Sequence, residues 1–168
     1  MADEHAQPAA AEHANPARAI YGTILVMAVI TALSHDDDVG SGELIVGVLA
    51  TTFVFWLAHV YAEVLGRRLE EEEGGRPTLA TIAVAARGEW PLVEASLLPV
   101  LCLLLGVVGI VKTETAVYIA IGAGVVELFG YGIAAGRKLR MSIGATIVVG
   151  AVNGALGLLV VLLKVLVH

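Results

Sequence analysis

Residues 115–136 read TAVYIAIGAGVVELFGYGIAAG, an unbroken apolar run interrupted by one charge, Glu127. A helix needs about 20 such residues to cross a hydrocarbon core of about 30 Å. Inside lipid every backbone N–H and C=O must be satisfied within the segment, so the run reads as a transmembrane helix and not as an open strand. Four further stretches of spanning or near-spanning length flank it, at 17–34, 44–65, 92–111 and 142–167. The expected fold is therefore an all-α integral membrane protein with five transmembrane helices.

The composition agrees. Of 168 residues, 58% are apolar before 19 glycines are counted, and only 15% are charged. Ordinary soluble domains carry about 25% charge, and a soluble fold of this size has no polar surface to cover so much oil. A soluble enzyme, a disordered chain and a disulfide scaffold are excluded. The net charge of −6 points away from a nucleic-acid partner. The lone cysteine, Cys102, lies in a leucine run and reads as an inert small hydrophobe.

The first stretch, the shortest, has a tolerable signal-peptide cleavage site at Ala32-Leu33-Ser34. The preceding tail is acidic at Asp3, Glu4 and Glu12, where a signal peptide carries basic residues. A retained helix is the expectation, with cleavage as the alternative. Residues 1–16 are rich in Ala, Pro and Glu and read as a disordered tail, with His5 and His13 solvated. Residues 17–168 form the membrane domain.

Orientation follows from the cations. Arg18, Arg67, Arg68, Arg76, Arg87, Arg137, Lys138 and Arg140 fall on one side, Lys112 and Lys164 on the other. The first set marks the cytoplasmic face, so the topology expected is N-in, C-out, in a multi-pass protein of the bacterial plasma membrane. Lys164 is expected to snorkel outward as an anchor. The outer loop His35-Asp36-Asp37-Asp38 has the carboxylates a hard cation likes, but adjacent aspartates on a loop more often form a solvated cap.

Residues 66–90 make the one sizeable loop. The second helix is expected to continue as a cytosolic stalk through Arg67-Arg68 and Glu70-Glu71-Glu72-Glu73, with Arg67 placed to pair with Glu71, until Gly74-Gly75 breaks it. A short interfacial helix is expected from Thr78, a plausible N-cap, to Gly88, followed by Trp90 at the headgroup level and Pro91 in the first turn of the third span. In the last two spans, Gly132/Gly136 and Gly150/Gly154 are small-xxx-small pairs that predict close helix packing, within or between subunits, and Asn153 reads as an interhelical hydrogen-bonder.

Ionisable groups at hydrophobic depth are costly and usually have a task. At 1.5 Å per residue, Glu63 lies about 5 Å and His59 about 10 Å from the inner boundary, Glu94 about 5 Å, and Glu127 about 14 Å, near the midplane. His59 and Glu63 are one turn apart on one face. Three helices can thus offer one imidazole and three carboxylates to a common space. That donor set suits divalent Fe, Mn, Zn or Co, and carboxylates that share a site exchange metal for protons. A proton path without metal uses the same residues. Each has a plainer reading: Glu63 pairing with Arg67, Glu94 stabilising a helix start, and His59 holding a neighbouring helix. Glu127 has no basic partner at i±4, where Ala123 and Tyr131 stand.

The layout resembles the vacuolar iron transporter family, which exchanges ferrous iron or manganese for protons. Arg18-Ala19-Ile20-Tyr21-Gly22 is similar to that family's start of helix one. Ala58-His59-Val60-Tyr61-Ala62-Glu63 is similar to its helix-two ending, with His59 where a methionine falls. Leu128-Phe129-Gly130-Tyr131-Gly132, Arg137 to Arg140 and the glycine-rich last helix are similar to its final hairpin. The family's helix-one Asn-Asp-Gly is missing, with Thr23 and Ile24 near its place, and its long metal-binding cytosolic helices are reduced to the stalk and short helix. The resemblance implies a dimer that takes a divalent metal as substrate.

The function expected is a small transporter-like protein passing a divalent cation, protons or both through Glu127, Glu63, His59 and Glu94. It has no resident cofactor, with the lipid bilayer and a second copy of the chain as partners. The competing expectation is a membrane scaffold or accessory subunit that binds a partner through its stalk. No Gly-x-Ser-x-Gly, Walker loop, His-Glu-x-x-His or dinucleotide fingerprint is present, so nothing points to an enzyme.

Overall fold

The structure is a computed structural model that describes residues 16–36, 38–70 and 78–167. The tail expectations, and most of the Glu70–Glu73 stalk with its Arg67–Glu71 pair, lie outside the described residues. The described residues are all-helical. Five segments are long and apolar enough to cross a membrane: α1 (Pro16–Leu33), α2 (Ser41–Glu70), the pair α4 (Trp90–Glu94) and α5 (Leu97–Val107), α6 (Thr113–Lys138) and α7 (Ile143–Val167). The short helix α3 (Leu79–Gly88) precedes the third span.

The surface confirms what the composition implied. Phe53, Val126, Ile143 and Leu158 are 56%, 69%, 82% and 58% exposed, large apolar side chains suited to acyl chains rather than water. This is a multi-pass membrane protein. The core lies where α1 meets α6, with Val26, Met27 and Ile30 of α1 against Val117, Ala120, Ile121 and Leu128 of α6, closed by Leu44 and Val48 of α2 and Leu103 of α5. Gly124 makes this possible, since a methyl there would fall 2.7 Å from Met27 Cγ and Sδ.

The third span departs from the single helix expected at 92–111. It breaks at Ala95-Ser96, and Pro99 supplies the reason: it has no N–H to give the Ala95 carbonyl, and its ring crowds that carbonyl. The Ser96 hydroxyl instead donates to Val93 O at 2.8 Å. The span also ends early, at Val107. Gly109 takes φ +76°, Ile110 N–H donates to Leu105 O at 3.0 Å and Gly109 N–H to Gly106 O at 3.2 Å. This is a Schellman cap, which needs a left-handed residue at that point. The α6–α7 hairpin closes with the same bonding, Met141 N–H to Gly136 O at 3.0 Å, but the left-handed residue is Arg140 at φ +53°.

The short helix forms where its cap predicted, with Thr78 Oγ1 accepting from Thr81 N–H at 3.2 Å. Trp56 Nε1 donates to Ala86 O at 3.1 Å and its ring meets Trp90 edge-on at 6.2 Å, which ties α2 to α3 and to the start of α4.

α6 and α7 make the most extensive helix pair. A methyl on Gly132 would lie 2.7 Å from Gly150 Cα, and one on Gly136 would lie 3.0 Å from Thr146 Cα. Gly150 faces Ile133 and Phe129, while Gly154 has ordinary clearance from Phe129 at 3.7 Å. Gly132, Gly136 and Gly150 are therefore close-packing positions between α6 and α7 of one chain. Asn153 differs from its expected role: its Nδ2 donates to Val149 O of its own helix at 2.9 Å while lying against Gly132. Val149 sits one turn back, so the amide satisfies itself locally and fills the space the glycine leaves.

Candidate functional site

The four intramembrane candidates separate into two groups. On α2, Glu63 accepts from Arg67 Nε at 2.9 Å, with both side chains partly exposed. Four residues is one helical turn, so the pair forms without tertiary help and contributes only about 0.3–0.5 kcal/mol. One turn earlier, His59 Nδ1–H donates to Phe55 O at 2.9 Å. Its ring lies 5.3 Å from that of Tyr21 on α1.

The second group is Glu94, on the broken span, and Glu127, on α6. Glu127 is half-buried, and its Oε2 is shut from solvent with no hydrogen-bond partner. Tyr131 follows one turn on along α6, and Cys102 lies on α5. Glu94 is the last residue of α4 and exposed. The Pro99 break places it there, ending α4 so that residue 94 need not follow the rotation of α5. Glu127 and Tyr131 stand one turn apart on α6, and Glu94 ends α4.

His59 and Glu63 are occupied within α2 itself. Among the described residues no three His, Cys, Asp or Glu side chains gather closely enough to hold a metal ion. The common space expected for one imidazole and three carboxylates is not formed within one subunit. The physical reason is local: Arg67 and Phe55 O satisfy Glu63 and His59 from within α2.

Three charged side chains gain a place that sequence reading did not assign. Arg18 Nη2 meets Glu89 Oε1 at 2.9 Å, and Arg18 Nη1 donates to Gly88 O at 2.9 Å. Glu89 is buried at 4% exposed, its Oε2 unpartnered. This clamp fastens the start of α1 to the α3–α4 joint. Glu89 stands in Gly88-Glu89-Trp90-Pro91, where the proline announces a helix start, which is the one signal that marked it. Lys164 does not snorkel outward. It is 4% exposed, donates to Ser34 Oγ at 2.8 Å and lies 5.2 Å from the Tyr118 ring centroid. Ser34 directly follows α1, and a cation is favoured at the carbonyl end of a helix, so the ammonium turns inward to it.

No protein-family model, curated protein or solved structure matches the chain.

Proposed function

We propose that this protein carries protons across the membrane, alone or in exchange for a divalent cation, with Glu127 as the group that takes up and releases the cargo near the midplane. The supporting observation is the Glu127 carboxylate, whose Oε2 is buried and has no hydrogen-bond partner. A buried acceptor left unsatisfied costs about 1–3 kcal/mol, and an acid at the bilayer centre about 2.5–3.5 kcal/mol. The fold offers that oxygen no partner, and a proton on the carboxylate removes the cost of the charge. Glu94 and Tyr131 then serve as the groups that pass the proton toward the end of the bundle where α6 ends, the nearer membrane face.

A proton needs one carboxylate. A divalent metal needs several ligands, and the absence of a three-ligand cluster among the described residues favours the proton as the primary cargo. Metal exchange, the cargo the vacuolar iron transporter resemblance implies, would need water or a second copy to complete the donor set around Glu127 and Glu94. The N-in, C-out orientation is part of this proposal and rests on eight cations against two.

The test is proton flux into proteoliposomes under an imposed potential, read with an entrapped pH dye. Wild-type protein should acidify the lumen and Glu127→Gln should not. Equal flux from both, or none from folded wild type, removes the proposal.

A further inference from the structure

At the end of the bundle opposite the Glu94–Tyr131 group, α1 ends, α2 and α6 begin and α7 approaches its own end. These four elements enclose a cavity of about 330 Å³. Its size lies at the lower end of the range that holds small molecules. The charges in its lining are ordered by depth. Lys164, 4% exposed, forms the floor. Asp36 and Glu114, both exposed, stand at the rim. The remaining wall is largely apolar, from Val39, Leu44 and Val117.

Each group has spare capacity. An ammonium has three donors, and Lys164 spends one on Ser34 Oγ and presents its charge to the Tyr118 ring, which accepts no proton. Asp36 Oδ1 accepts from Asp38 N–H at 3.1 Å, which fixes the side chain and leaves the second oxygen. Glu114 and Lys164 both line the cavity, but no ion pair joins the two. A fixed cation below and two acids above, held apart by apolar walls, match one kind of ligand. A plain anion would pass the rim acids to reach the floor, and a plain cation would face Lys164 once inside.

We propose that this cavity binds a small zwitterion bearing a primary amine and a carboxylate, of the class of the apolar α-amino acids. The carboxylate rests on Lys164, the ammonium bridges Asp36 and Glu114, and the side chain lies against the valine and leucine wall. The pocket is independent of Glu127, and neither reading requires the other.

The probe is radiolabelled L-leucine, with equilibrium binding measured on the full chain in nanodiscs. Isocaproate, which lacks the amine, and isoamylamine, which lacks the carboxylate, are the competitors. Saturable leucine binding is expected, with each competitor at least about tenfold weaker. Lys164→Met should abolish it. Should that variant fail to fold, Asp36→Asn with Glu114→Gln, both at the exposed rim, should weaken leucine about tenfold or more while improving isocaproate. A lysine that merely ties α7 to α1 would leave that preference unmoved. No saturable leucine binding by folded wild type, equal binding of isocaproate, or unchanged preference in the rim variant overturns the proposal.

Discussion

Replacing Gly132 by alanine should separate α6 from α7. The added methyl would lie 2.7 Å from Gly150 Cα, 2.8 Å from Val149 O and 2.9 Å from Asn153 Nδ2. Two of these three are backbone atoms, so no rotamer change relieves the crowding. Ordinary contact begins near 3.4 Å, so the helices must part by roughly 0.7 Å along their most extensive interface. Overpacking of this kind costs about 1–3 kcal/mol. Gly130, two residues earlier on the same helix, has nothing within 4 Å of its would-be methyl. There the same substitution should be neutral or stabilising by up to about 1 kcal/mol, since alanine is the better helix former. The assay is equilibrium unfolding in mixed micelles by titrated denaturing detergent, followed by circular dichroism. A loss of about 1–3 kcal/mol for Gly132→Ala beside no loss for Gly130→Ala is expected. Equal stability of the two variants would refute the close approach of α6 and α7 at this point.

Other substitutions probe the remaining contacts by the same unfolding assay. Arg140→Gly should stabilise the protein by about 1 kcal/mol, because Arg140 holds a left-handed φ of +53° that glycine adopts freely; a loss of stability would show that its side chain matters more than its backbone. Glu89→Ala should cost about 1–3 kcal/mol, below the full figure for a buried pair because Arg18 keeps partial solvent contact and its bond to Gly88 O. Glu63→Ala, which removes only a partly exposed i,i+4 pair, should cost about 0.3–0.5 kcal/mol; a larger loss for Glu63 than for Glu89 would reverse the roles given to the two acids.

What was legible in the sequence follows the range of the interactions involved. The spans were legible because each is an apolar run whose length answers to the bilayer. The α3 cap was legible because Thr78 and Thr81 are three residues apart. The Pro99 break and the Gly109 cap had local causes too, but a long apolar run hides both when it is read for length alone. The Glu63–Arg67 pair stood among the readings because it spans one turn. The partners of Arg18 and Lys164 are 71 and 130 residues away, and no periodicity brings such pairs together. Lys164 illustrates the physics: near a helix end, lipid-facing snorkelling and inward capping are both open to a lysine. The position of Ser34 across the bundle decides between them. The small-residue pairs showed that helices approach closely, and only the fold showed that both partners belong to one chain.

The midplane acid bears most directly on function. Lumenal pH in proteoliposomes should follow an imposed potential with wild-type protein and stay flat with Glu127→Gln, with circular dichroism showing both folded. Undiminished proton flux through the folded Glu127→Gln protein would contradict a carrier role for this carboxylate.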